Sequence, residues 1–457
     1  MESLVTTQPH WHFGISRAGR TVRVRWWIFL YMFLFPLVCY VQRNSLTIAT
    51  DQVKAQLHVS QLQVFLLSSA FIVMYMALQV PGGALGQRWG ARRMFVLVGA
   101  LGCLATVATP LAPYVLTGTA MIMAMALAQA VLGIAQAPVF PVQTGVFESW
   151  FPSARWGFVN GLGSSAMHVG TAITAPLIVA LSASWGWQRA LLCTALPLAL
   201  LTACWAWYGR DTPQQHPAVS ARELAELDGG GHEPPAPTTL RRCLQLMRER
   251  SLLVLAISYM LANVAFYQLM AAPFLYLTQH RHLSQVDSGW LAMLVPLGAA
   301  AGASLGGVLT DRSAARFGLR WGHRLVPLAA LPAAAVLLLC GAHAASVPIA
   351  VACFVLAYGC VELNEGPVAA ATMQIAQADS MSAFGVINTG GNLAGVLLYP
   401  LLGYLSGRGE WNLAFEIAAV CCLAAAALWL LVRADRRFEP SSSVSDALPQ
   451  GEGSAYP

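Results

Sequence analysis

The sequence predicts an all-α membrane protein of twelve transmembrane helices in two six-helix bundles, with both termini in the cytosol. Three observations carry that expectation. Hydrophobic residues make up 57% of the chain and charged residues only 10%, where a soluble domain carries about a quarter charged. Apolar runs long enough to cross a ~30 Å hydrocarbon core recur along the whole chain. They are interrupted once, by a polar stretch at 209–250 that leaves six runs on either side.

In order, the runs lie near residues 26–49, 63–86, 94–115, 120–149, 156–181, 187–208, 251–279, 286–309, 324–343, 347–370, 383–406 and 412–432. The positive region before the first (Arg17, Arg20, Arg23, Arg25) precedes a run too long for a secretory signal, with no small-residue cleavage site at its end. That run is expected to stay as the first span. The fourth is over-long and carries Pro138 and Pro141, which predict a kink. The expected domains are a cytosolic tail (1–25), an N-terminal bundle (26–208), a cytosolic linker (209–250) with a short amphipathic helix near 220–228, a C-terminal bundle (251–433) and a disordered Ser/Gly/Pro-rich tail (434–457).

Orientation follows from the basic residues. Apart from Arg43, which falls inside the first run, all but Lys54, Arg189, Arg281 and Arg408 lie in the termini, in the linker or on the loops of one side. That asymmetry places the termini in the cytosol of a plasma (inner) membrane. The loops themselves repeat: GGALGQRWGARR at 82–93 follows the second run and GGVLTDRSAARFGLR at 306–320 the eighth. A motif at the same place in each half marks an internal duplication. Arg88, Asp311 and Arg312 in these loops are the candidate gating residues.

Arg43 is the residue that calls for a function. An arginine at bilayer depth costs at least ~2.5 kcal/mol by insertion scales, so it faces a protein interior or a watery cavity. A guanidinium holds a carboxylate through paired hydrogen bonds, which makes Arg43 the candidate clamp for an anion. The competing reading is that it snorkels outward to Asp51. Tyr40, one turn earlier, shares its face.

Tyr40-x-x-Arg43-x-x-Leu46, SSAFIVMYMALQVPGG (68–83), LGIAQAPVFP (132–141), WFPSARWGFVNG (150–161), Gly366-Pro367 and INTGGNLAGVLLYPLLG (387–403) resemble the major facilitator superfamily. Within it they resemble the anion:cation symporter family of sugar-acid and phthalate-type carboxylate transporters. The resemblance covers the whole membrane region. It implies the major facilitator fold, alternating access, a monomer, and substrate-facing places for Tyr40, Tyr75 and Asn388. It also implies acidic proton carriers where this chain has Gln42 and Gln136, a second arginine where it has Gln129, and an aspartate where it has Gln87. Glutamine hydrogen-bonds but takes up no proton.

The tenth run, YGCVELNEGPVAA, supplies what the N-terminal half lacks. Tyr358, Glu362 and Glu365 share one helix face. Glu365 or Glu362 is therefore the candidate for coupling to protons, and Glu365 also for substrate binding. Two other readings stay open: one of these carboxylates pairs structurally with Arg43, or the two charges together bind a zwitterion. Asn263 and Tyr267 on the seventh run join Gln42 and Gln136 as candidate cavity-lining residues, whereas His168 and Asn392 read as packing or helix-bonding groups.

No P-loop, metal-ligand cluster or nucleophile motif is present, so no enzymatic activity, cofactor or metal is expected. The basic loops read as topology signals and not as a nucleic-acid surface. Cysteines other than Cys243 fall in apolar runs, as small buried hydrophobes. The expected function is secondary import of a small organic anion, coupled to protons, with the lipid bilayer as surroundings. The alternatives are an uncoupled facilitator or exchanger of an anion or zwitterion, drug efflux, and a membrane ligand sensor.

Overall fold

A computed structural model of the protein describes residues 23–227 and 240–438; most of the two expected tails lies outside the described residues. Every regular element described is helical. The first half contains α1 (Val24–Ile48), α2 (Thr50–Leu57), α3 (Gln61–Ala77), α4 (Gln79–Trp89), α5 (Ala91–Val115), α6 (Gly118–Gln136), α7 (Val139–Trp150), α8 (Trp156–Trp185) and α9 (Trp187–Tyr208). The linker contributes α10 (Ala221–Ala225), shorter than the helix expected there, and α11 (Leu240–Arg248). The second half contains α12 (Arg250–Leu275), α13 (Gln285–Ala342), α14 (Val347–Glu362), α15 (Glu365–Ala376), α16 (Ser380–Gly407) and α17 (Trp411–Trp429).

Among the described residues nine helical stretches are long and apolar enough to cross a membrane, or ten if the bent pair α3–α4 counts as one. Two of the nine are too long for a single crossing. Val286–Ala342 has 57 residues and Val347–Gly407 has 61, roughly 85 and 90 Å at 1.5 Å per residue. The first breaks at Gly318, whose φ of 74° lies outside the helical region. The second breaks at Leu363–Asn364 and again at Gln377–Asp379.

Three bends have one cause. Proline lacks an N–H and its ring crowds the carbonyl four residues back. Pro81 follows Ala77 by four, where α3 ends and the chain turns by 52°. Pro141 stands in the same relation to Ala137, between α6 and α7, and Pro367 to Leu363, between α14 and α15. The kink expected in the fourth run is therefore present, and the second and tenth runs carry bends of the same kind. Gln136 and Glu362 consequently occupy matching places in the two halves, each ending a helix five residues ahead of its proline.

Each half has its own aromatic core. Phe35 and Phe95 meet at 4.9 Å with Trp205 against them, and Phe354 stacks on Phe415 at 4.7 Å beside Tyr276. Within a bilayer such contacts stabilise by close packing, because lipid tails are as apolar as the side chains. Between the halves, α8 packs on α13 and α15, and α16 packs on α4 and α7.

The linker is tied to the first helix. Ser220 caps α10 by accepting from the Glu223 N–H at 3.2 Å. Arg25, only 2% exposed, donates its backbone N–H and its Nε to Glu223 Oε1, each at 3.0 Å, and its Nη2 to the Glu223 carbonyl oxygen. Arg25 counts as a topology signal in the sequence; in the fold it is also a buried structural partner.

Candidate functional site

Arg43 lies in the last two turns of α1 with its guanidinium carbon 4.6 Å from the Tyr40 ring centre, 4.8 Å from Phe71 and 5.0 Å from Tyr75. Each such contact is worth about 0.5–2 kcal/mol, depending on desolvation. Among the described residues no carboxylate and no hydrogen-bond acceptor holds it. Asp51 is 99% exposed and lies 4.0 Å from Lys54, so the outward-snorkelling alternative does not describe this arginine. Neither Glu362 nor Glu365 pairs with it; both are bonded elsewhere.

Beside this cation is a small central cavity of about 30 Å³, room for about one water molecule. Tyr40 and Tyr75 line it from the first half, with the guanidinium behind their rings. Asn263, Tyr267, Glu365 and Asn388 line it from the second. The Tyr259 hydroxyl donates to Glu365 Oε1 at 2.9 Å, and the Tyr267 hydroxyl donates to Asn392 Oδ1 at 2.8 Å. Asn263 Nδ2 turns back to the Tyr259 carbonyl, and Asn388 Nδ2 crosses between the halves to Gln79 Oε1 at 3.0 Å. The first half thus offers two tyrosines backed by an arginine, and the second half a carboxyl with phenol and amide groups.

A second cavity, of about 350 Å³, shares Tyr40 and Phe266 with the first. It runs past His168 and Tyr358 to the exposed side chains of Ile48 and Phe274, at the end of the bundle away from the repeated loops.

Gln42 and Gln136 are not part of either lining. They are buried in the first bundle, where Gln136 Nε2 donates to Gln42 Oε1 at 3.4 Å and Gln42 Nε2 donates to the Thr194 carbonyl at 3.2 Å. Side chains of this length on α1 and α6 meet each other before they reach the cavity. Glu362 also lies off the central cavity, bonded to His168 Nε2 at 2.8 Å. Sequence reasoning discounted His168 because an isolated histidine on a membrane helix carries little signal; its partner is 194 residues away.

The repeated loops close one end of the molecule. Asp311 accepts the first backbone N–H groups of α8, from Gly157 at 2.9 Å and Phe158 at 2.8 Å, as a cap supplied by the other half. Gln87 does the corresponding work at the start of α16. Its Nε2 donates to the Ala378 carbonyl at 2.6 Å and to Asp379 Oδ1 at 2.9 Å, and its Oε1 accepts from Ser382. Glu148 accepts from Ser380, again across the halves, and no ion pair joins it to Arg155. Arg88 and Arg312 are exposed, whereas Asp311 and Gln87 are buried at the contact. Backbones touch here: a Cβ on Gly83 would overlap the Met381 carbonyl oxygen, and one on Gly307 would overlap that of Gly157.

No group of histidine, cysteine, aspartate or glutamate among the described residues could hold a metal ion.

Comparison with known proteins agrees with this geometry. The pattern of the Major Facilitator Superfamily matches residues 28–376 and, in a second overlapping match, 269–450. A protein of Cupriavidus necator named as a probable sulfoacetate transporter is 27% identical over 438 residues, covering 94% of this chain and 99% of its own. A Bacillus subtilis protein named as a probable galactarate/D-glucarate transporter is 26% identical, covering 92% and 94%. Among solved structures, the proton:xylose symporter XylE superimposes with a TM-score of 0.69 at 14% identity, covering 90% of this chain and 96% of that one. The transporter FucP in its outward conformation gives 0.68 at 15%, covering 90% and 99%. The chain is a multi-pass membrane transporter and belongs to the major facilitator superfamily.

Proposed function

We propose that this protein imports a small organic anion across the inner membrane by alternating access, in symport with protons. The observation that carries this reading is the Arg43 guanidinium, held by aromatic rings beside the central cavity with no carboxylate among the described residues on it. A half-buried cation without a counter-ion is costly, and a carboxylate or sulfonate arriving in the cavity supplies the missing partner. The relatives named for sulfoacetate and for galactarate or D-glucarate support the same class of substrate. Dividing the two over-long stretches at Gly318 and at Gln377–Asp379 turns ten spans into twelve. With the basic loops in the cytosol, we read both termini as inside, 26–208 and 251–433 as the two bundles and 209–250 as the linker. On that reading the carrier is closed to the cytosol, with its larger cavity directed outward. We read it as a monomer.

Ligand binding tests this first. Purified protein is screened by thermal shift against sulfonates, sugar acids, aromatic dicarboxylates and amino acids. Stabilisation by carboxylates or sulfonates is expected; stabilisation by cations alone would reject the reading. Coupling is tested separately, by external alkalinisation during uptake in cells.

A second reading is an uncoupled exchanger. It is favoured by the Gln42–Gln136 contact, which leaves the first bundle with no titrating group at that point. Uptake without a rise in external pH would select it.

A further inference from the structure

His168 and Glu362 form a deeply buried polar contact between the two halves. His168 is 2% exposed and Glu362 1%, and they join α8 to the last residue of α14 at 2.8 Å. In the first half the matching place is Gln136, which is neutral and bonded within its own bundle. Only the second half puts an ionisable group at this break and aims it across the interface. His168 also lines the 350 Å³ cavity that reaches the exposed Ile48 and Phe274, whereas the substrate cavity is lined by Glu365 and not by this pair.

We propose that the His168–Glu362 pair is the proton-binding site of this transporter, loaded through the larger cavity by a route separate from that of the anion. The proposal rests on the reading of the protein as a proton symporter. Charge balance supports it. A neutral imidazole beside a carboxylate carries one net negative charge, which a dry interface tolerates poorly. One added proton, shared between imidazole and carboxyl, makes the pair neutral and lets it be buried as seen here. When that proton leaves, the charged pair favours a conformation in which water reaches it. No other bond is made or broken.

The surroundings contain few competing charges. Tyr40 approaches from α1, Tyr259 from α12, Tyr358 from α14 and Glu365 from α15. Around the larger cavity α13 offers uncharged side chains such as Met293 and Pro296. Its acids are engaged elsewhere, Asp287 with Ser284 and Asp311 with the start of α8. On α7 Glu148 is bonded to Ser380, and Arg189 lies in the first turn of α9. Glu365 already accepts from Tyr259 and faces the substrate cavity, which assigns the two glutamates of this break to different ligands.

Hydrogen exchange on the full-length protein in lipid nanodiscs, with no substrate added, tests this. Exchange is followed in the segments that close the loop end, residues 157–161 and 378–385, at mildly acidic and mildly alkaline pH, corrected for intrinsic rates. In the wild type, protection is expected to fall as pH rises, by at most about tenfold per pH unit for a single linked proton. Glu362→Gln should remove that dependence, His168→Gln should move it to a different pH because the Glu362 carboxyl then titrates alone, and Glu365→Gln should keep it. If Glu362→Gln does not fold, the shift in His168→Gln decides alone. A wild-type dependence left unchanged in the His168 and Glu362 variants overturns the site while leaving proton symport standing. Its absence from the wild type overturns both.

Discussion

Arg43 lies 4.6 Å from the ring of Tyr40 and is held there by π faces, with no carboxylate among the described residues against it. Three aromatic rings keep the cation in place without neutralising it, so its charge remains available to a ligand. The adjacent cavity, about 30 Å³, has room for about one water molecule.

Replacing this cation should end transport. Hydrogen bonds to charged groups contribute about 1.5–3 kcal/mol each, and each 1.4 kcal/mol is about a factor of ten in affinity. Arg43→Ala is expected to abolish uptake with membrane levels unchanged. Arg43→Lys keeps the charge but loses the paired donors, and should raise KM by about tenfold or more. Initial uptake rates together with surface quantification check both.

Glu365 should govern selectivity. Its carboxyl lines the same cavity as Tyr40 and Tyr75, the rings against Arg43, where the second carboxylate of a dianion is expected to meet it. Glu365→Gln is expected to improve binding of dicarboxylates relative to monocarboxylates by about tenfold, the scale of one removed like-charge contact. Competition binding with paired mono- and dicarboxylic sugar acids measures the ratio.

Contacts at the loop end should set which way the carrier faces. Asp311→Ala leaves the Gly157 and Phe158 N–H groups uncapped, a loss of about 0.5–2 kcal/mol. Gly307→Val places a side chain against the Gly157 carbonyl. Both should open the loop end, Gly307→Val more completely, and hydrogen exchange at residues 157–161 should rise in that order.

The linker contact should matter for stability and not for substrate recognition. Glu223→Ala removes the buried carboxylate on Arg25 and leaves it Glu226 as its ion-pair partner, a loss below the about 3–5 kcal/mol of a fully broken buried pair. A lower melting temperature and faster proteolysis within 209–227 are expected, with KM unchanged.

Much of the fold was legible because hydrophobic run length, the 209–250 interruption and the paired Gly-Arg loops each report on it directly. The loops also pointed to the closing contacts, through Asp311 as well as the arginines; Gln87, the residue that departs from the motif, bonds there too. The bends in the second and tenth runs were legible in Pro81 and Pro367, four residues past each break, a rule applied only to the fourth run. Tyr40, Tyr75, Asn263, Tyr267, Glu365 and Asn388 meet at one cavity, as helix-face spacing and the family resemblance suggested. His168 was out of reach, because its meaning depends on Glu362 in the other half, and no local pattern joins residues 194 apart. Gln42 and Gln136 were placed at the cavity by resemblance alone, and depth along a helix does not reveal which neighbour a side chain meets first.

The most direct measurement is the thermal shift of the wild type and of Arg43→Gln across one panel of carboxylates, sulfonates, amino acids and neutral sugars. Stabilisation of the wild type by at least one small anion, absent in Arg43→Gln although that variant melts normally without ligand, is the predicted result. Equal stabilisation of both proteins by the same anion would contradict the assignment of Arg43 as the group that binds it.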